Sequence, residues 1–358
     1  MKIEKRDSIR NSSIELLRIL LIGGVIILHY VADSGNLLNN AMQGSIEYYF
    51  IVLMNSICVC AVDVFVIISG FYSCKSCEVS FRKPVQLLMQ VIIFQIVLSA
   101  GVPLFKGEKL SIMNVVYNFI PRNYYVTLYI SLMILSPFLN AFIRKLSKNT
   151  YRKFLIVLSF LFLVEPTFAE IVEGIKGSPI YGISTIGILG AEWGYTIVTF
   201  ICLYFLAAYI REYGSFWPAQ WNVTVYFASL GLLFGLKLVE LSIGRSIGAE
   251  HYMNPILVVN ALAVFKIFNN YEFRSRIINF IAKGCFTVFI LHTSLIKYFS
   301  VVEYLNSNII MFIIHWIQCV IIIFVLCDVI GIIYTTIEKI IFDLIQKNVG
   351  FFFIKIED

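Results

Sequence analysis

The chain has 358 residues, of which 59% are hydrophobic and only 14% charged, against about 25% charged in a water-soluble domain. So little charge cannot cover a protein of this size in water, which excludes a soluble globular fold and leaves lipid as the solvent. The formal charge of +6 then speaks of how loops are placed about a bilayer, not of nucleic-acid binding.

A membrane-spanning helix needs about 20 mostly apolar residues. Taken in chain order, ten segments qualify: 14–32, 49–72, 85–105, 123–143, 153–169, 191–210, 220–240, 253–271, 284–302 and 309–337. The basic start, Met1–Asn11, resembles a secretory leader, but no small-residue cleavage site follows, so the first segment is expected to be a retained span. The fifth is interrupted by Glu165-Pro166, and the ninth is short and follows an amphipathic stretch, Arg274–Lys283. With the N-terminus inside, nineteen of the 28 Lys and Arg fall on the cytoplasmic side and six on the far side; Arg18, Lys237 and Lys266 lie within spans. That asymmetry predicts an all-α polytopic membrane protein of ten transmembrane helices with both termini cytoplasmic. No internal repeat or linker divides it, so residues 1–342 read as one transmembrane domain and 343–358 as a short cytoplasmic tail.

Ionisable groups inside spans are costly and by default face a cavity or a partner. Arg18 and His29 stand eleven residues apart, which places them ~20° apart around a helix and ~16 Å apart along it. An arginine near the cytoplasmic mouth suits a phosphate-bearing ligand, and an imidazole near the far end suits proton abstraction from a hydroxyl. Glu15, one turn before Arg18, is placed to orient or neutralise it. The structural alternative has Arg18 reaching back to the interface and His29 in a packing contact. In the second span, Asp63 lies deep in an apolar run and is a candidate partner of Arg18 or His29, or one half of a purely structural ion pair. Ser69-Gly70 offers a helix break near the cytoplasmic face, where backbone amides can meet a ligand.

Weaker candidates are Gln95, Asn140, the Tyr124, Tyr125 and Tyr129 group, Glu192-Trp193, and the histidines 251, 292 and 315. His292 ranks second to His29, and His251 reads as a loop residue. Lys237 and Glu240 are expected to pair, and Gly231-x-x-x-Gly235 reads as a close-packing face. Cys74-Lys-Ser-Cys77 lacks a second pair or a nearby histidine, so no metal is expected and the eight cysteines read as free thiols.

The residues, in order, resemble acyltransferase family 3, which includes many bacterial polysaccharide and lipopolysaccharide O-acetyltransferases. Ile14-Glu15-Leu16-Leu17-Arg18 through His29-Tyr30 is similar to the family's opening Arg-x(10)-His motif. Ala61-Val62-Asp63-Val64-Phe65 with Ser69-Gly70-Phe71, Tyr124–Tyr129 through Leu135–Asn140, and Phe286–His292 resemble later blocks. The ordered set, rather than any one motif, carries the resemblance. There are two departures. Leu28 stands where many members have a first histidine, and Gln86 follows Arg82-Lys83-Pro84 where many have a second arginine.

The resemblance implies an acyl-CoA donor, usually acetyl-CoA, and a carbohydrate acceptor at the outer face of a bacterial plasma membrane. It implies His29 as base, with Arg18 and Asp63 beside it in the catalytic set. The donor nucleotide would lie near Arg18, Ser69, Arg82 and Lys83 on the cytoplasmic side. An extended pantetheine arm is on the order of the ~16 Å between Arg18 and His29. Direct attack and an acyl-histidine intermediate both remain open. The rival readings are a transporter or flippase of a lipid-linked saccharide, another glycan-assembly enzyme, and a subunit without chemistry. The first lacks visible inverted halves, the second usually has a long outer loop carrying arginines whereas the longest outer loop here, Glu170–Gly190, has none, and the third leaves Arg18, His29 and Asp63 unexplained.

Overall fold

The computed structural model describes residues 11–32, 34–107, 112–121, 123–178, 194–305, 307–348 and 353–355. Most of the basic N-terminus, Arg122, Glu192-Trp193 and most of the 170–190 loop lie outside them. Among the described residues each apolar segment falls on a helix: α1 Ser12–Val31, α2 Ile46–Ser73 with a turn at Val59 and Cys60, α3 Arg82–Phe105, α4 Tyr124–Arg144 and α5 Lys148–Lys176. These are followed by α6 Ile197–Tyr213, α7 Ala219–Ile243, α8 Pro255–Asn269, α9 Cys285–Ile296 and α10 Ile309–Asn348. The protein is an all-α polytopic membrane protein. Seven of these helices are long and apolar enough to cross a bilayer alone, while α6, α8 and α9 are shorter. One small exception to the helical pattern is a two-stranded antiparallel pair, β1 Glu78–Ser80 with β2 Phe353–Lys355. Helix α10 itself continues unbroken past position 342.

Short polar side chains set where many helices begin. Asn11, Ser45, Asn123, Ser147, Thr196 and Asn254 each accept a hydrogen bond from a backbone N–H of the first turn that follows. Each satisfies a donor that the helix cannot pair internally. Pro166, expected to interrupt the fifth segment, does not end its helix, and neither does Pro103 in α3. Pro103 and Pro166 follow π-helical turns at Val97–Gly101 and Phe160–Val164. Widening the turn relieves the clash of the ring with the carbonyl one turn back, so α3 and α5 continue.

Helix α6 is the centre of the bundle and is buried along most of its length, packed against α2; α2 also meets α8, and α8 meets α7. A second layer joins α1 to α2 and α9, and α9 to α10. Close approach is bought with glycine at two crossings. A Cβ at Gly70 would lie 2.9 Å from the Ala207 methyl of α6, and one at Gly331 would lie 2.8 Å from Gly284 Cα at the start of α9. The expectation for Gly231 and Gly235 is corrected: no atom lies within 4 Å of a Cβ built at either. That face of α7 is open, because α7 meets α8 through other residues, such as Ser229 bonded to Asn260 at 3.0 Å. Ser69-Gly70 is likewise no helix break, since α2 runs through it to Ser73.

Candidate active site

A cavity of about 790 Å³ lies at one end of the bundle. Its lining comes from the last turns of α1 (His29), the α2 segment around Asn55 and Val59, the start of α4 (Tyr124) and the C-terminal half of α7 (Lys237). Tyr195 before α6, Glu250 to Tyr252 before α8 and His292 of α9 complete it. The ring centroids of His29 and His292 are 4.9 Å apart. The Nδ1–H of His292 donates to the Val288 carbonyl at 2.9 Å. A carbonyl can only accept, so this bond leaves the lone pair on Nε2. That nitrogen is buried with no hydrogen-bond partner among the described residues.

The opposite wall is a charged network. Lys237 Nζ contacts Glu240 at 2.6 Å and Glu250 at 3.3 Å. Glu250 accepts from Asn55 Nδ2 at 2.5 Å and Ser56 Oγ at 2.9 Å. Glu240 also accepts from the backbone of Ile247 and Ala249, at 3.0 and 3.2 Å, and so folds the loop that carries Glu250. Burial pushes the Glu250 carboxyl above its ordinary value, with Lys237 and the Ser56 hydroxyl acting the other way. His251 Nδ1 lies 2.9 Å from both carboxylate oxygens of Glu170 on α5. Three tyrosines close the side: Tyr124 and Tyr195 have ring centroids 4.0 Å apart, and Tyr195 and Tyr252 4.5 Å. The expected Lys237–Glu240 pair is present, but its larger role is to bind Glu250.

Arg18 lies on the N-terminal half of α1, away from this chamber, and pairs with Glu15 at 3.2 Å. This end of α1 is held to the last turn of α8 and to the segment before α9: Ser13 Oγ donates to the Phe268 carbonyl at 2.7 Å, and Ser12 Oγ to Asn279 at 2.8 Å. Arg82 and Lys83 occupy the first turn of α3, within electrostatic reach of Glu338 on α10. Between Arg18 and the chamber stands an aromatic group in which Tyr125 stacks on Tyr129 at 5.6 Å and meets Phe289 at 5.1 Å. Ser69 Oγ donates to the Phe65 carbonyl at 3.0 Å and is bonded to Tyr129 Oη at 2.8 Å. Asp63 does not meet Arg18 or His29 as anticipated. It is fully buried, both of its oxygens lack a hydrogen-bond partner among the described residues, and it does not line the chamber. Its place in the first turn of the second half of α2 puts the carboxyl at the favourable end of the helix dipole instead.

A family model described as an acyltransferase domain matches residues 11–332. The chain belongs to acyltransferase family 3. No curated protein and no solved structure matches it. The matched span of this acyltransferase begins at the cap of α1 and ends inside α10, so the chamber and both of its facing histidines lie within it.

Other candidates find structural places in the acyltransferase. Asn140 donates to the carbonyls of Ser73 and Ser76, at 2.8 and 2.6 Å, and accepts from Tyr204 at 2.7 Å, which fastens α4 to the end of α2. His315 Nε2 lies 3.0 Å from the Ser300 carbonyl and its ring stacks on Tyr304. All eight cysteines are buried free thiols. Gln95 lines a second cavity beside the chamber. Glu250, Asn55 and Thr293 were not anticipated at the site. Glu250 sits in a loop with no periodicity, and its only signal was a charge next to the Asn254-Pro255 helix start.

Proposed function

We propose that this acyltransferase is a bacterial plasma-membrane O-acyltransferase. It takes an acyl group, acetyl by preference, from acyl-CoA on the cytoplasmic side and passes it to a hydroxyl of a cell-surface or lipid-linked glycan on the outer side. The observation that carries the reading is the chamber that gathers His29 and His292 at one end of α1, with Arg18 on the same face of that helix eleven residues earlier.

In this reading Arg18, with Arg82 and Lys83, receives the phosphates of the donor, for which a guanidinium fork is well shaped. The pantetheine arm runs past Ser69 and the Tyr125–Tyr129 pair toward the chamber. His29 takes the proton of the acceptor hydroxyl as its oxygen attacks the thioester carbonyl. The carbon–sulfur bond then breaks, and the imidazolium returns the proton to the departing thiolate, giving an ester and free coenzyme A. The tyrosines and the Lys237–Glu250–Asn55 network supply the stacking and hydrogen-bonding surface that a saccharide needs. Asp63, which does not line the chamber, is given no direct part.

The test is binding of radiolabelled acetyl-CoA, and transfer to a glycan acceptor, by the purified protein and its Arg18→Ala and His29→Ala variants. Arg18→Ala is expected to lose donor binding. His29→Ala is expected to keep binding and lose ~10²–10⁴-fold in transfer. More than about a tenth of wild-type transfer in His29→Ala would end the base assignment.

A further inference from the structure

A second cavity of about 730 Å³, between α3 and α9, shares Asn123, Ile290 and Thr293 with the chamber. Its size falls in the ~300–1,000 Å³ range of ligand clefts. The polar lining is Gln95, Ser99, Asn118, Asn123, Thr293 and Ser294, and no ionisable side chain is among its described lining residues. Uncharged amides and hydroxyls are both donors and acceptors, which matches sugar hydroxyls. Among the described lining residues there is no cation to offset the hydration that an anion would lose there.

Three of these residues keep hydrogen-bonding groups that are unused among the described residues. The Asn123 side-chain oxygen is used as the α4 cap, at 3.2 Å from Val126 N, and its NH₂ has no hydrogen-bond partner among the described residues. Helical serines and threonines commonly bond back to a carbonyl in the preceding turn, as Ser229 does to Val225 at 2.7 Å. Thr293 and Ser294, on α9, make no such bond among the described residues, and both line the cavity. On the α3 side, Ser99 belongs to the π turn Val97–Gly101, a local widening that often marks functional sites.

We propose that this cleft is a second saccharide subsite. It holds the uncharged sugar adjoining the one acylated in the chamber, so the acceptor is a neutral saccharide of at least two units. The assignment rests on the acyltransferase reading above.

The test uses the full-length protein in lipid nanodiscs with radiolabelled acetyl-CoA. Acceptors are glucose and N-acetylglucosamine oligosaccharides of one to four units, and matched oligosaccharides with glucuronate at the second unit. Going from one neutral unit to two is expected to raise kcat/KM about tenfold, the effect of a few added hydrogen bonds. A glucuronate there removes that gain. Ser294→Trp, which projects bulk into the cleft, brings the two-unit acceptor down to the level of the single unit, and Ser294→Ala reduces the gain several-fold. Equal use of all lengths, a preference for glucuronate, or a length preference that survives in folded Ser294→Trp and Ser294→Ala would overturn the subsite. If the protein binds acetyl-CoA but acylates none of these saccharides, the subsite falls alone. If folded protein does not bind acetyl-CoA at all, the donor reading falls with it.

Discussion

His292 and His29 face each other across 4.9 Å, and a bond to its own helix leaves the His292 Nε2 buried beside the chamber with no partner among the described residues. His292→Asn keeps a side-chain N–H near the position of Nδ1, so the bond to Val288 can persist while the basic nitrogen is lost. This variant is expected to remain folded, bind acetyl-CoA, and lose at least about tenfold in transfer. Transfer assays beside thermal unfolding check it, and wild-type transfer in His292→Asn would remove the ring from the reaction.

Arg18 offers a planar fork where lysine offers a point charge. Arg18→Lys is therefore expected to bind acetyl-CoA at least several-fold more weakly than wild type, with transfer at saturating donor less affected. A titration of donor binding and of initial rates separates the two. Identical affinity in Arg18→Lys would mean that the guanidinium geometry is not used.

The glycine contacts give a paired stability test. A methyl at Gly331 meets Thr287 Oγ1 at 2.7 Å and Gly284 at 2.8 Å, so Gly331→Ala must push α9 from α10 and is expected to cost ~1–3 kcal/mol. Gly231→Ala meets nothing within 4 Å and is expected to range from neutral to ~1 kcal/mol stabilising. A thiol-reactive dye can follow both unfolding transitions, because all eight cysteines are buried free thiols.

The Glu250 carboxyl is held above its ordinary value by burial. The folded protein therefore binds this proton more tightly than the unfolded chain, and stability falls as pH rises from the ordinary glutamate value through the raised one. Glu250→Gln cannot lose a proton. Its melting temperature, measured against wild type from about pH 4.5 to neutrality, is expected to improve relative to wild type as pH rises. A constant difference across that range would contradict the raised value.

Apolar length made the helices readable, and the 3.6-residue period was enough to put Arg18 and His29 on one face. Period alone could not say what that face would meet. Asp63 looked like a partner because it is a carboxylate in an apolar run, yet whether it reached Arg18 or His29 depended on how α2 turned at Val59 and Cys60. Glu250 joins the chamber through a loop folded by Glu240, and His251 through Glu170 on α5. Such long-range pairings leave no local pattern. Gly231-x-x-x-Gly235 failed for the converse reason, since spacing shows that a helix can be approached closely, not that a neighbour does so.

The eleven-residue spacing of Arg18 and His29 also bears on the membrane's voltage. Carrying one elementary charge across 100 mV takes ~2.3 kcal/mol. In the proposed reaction the donor's phosphates stay at Arg18, only the uncharged arm and its acyl group reach inward, and coenzyme A leaves by the side from which it came. The handover moves no net charge through the bilayer. In proteoliposomes the transfer rate should then be the same with a potassium diffusion potential of either sign as with none, which makes this an electrically silent route for exporting an activated group.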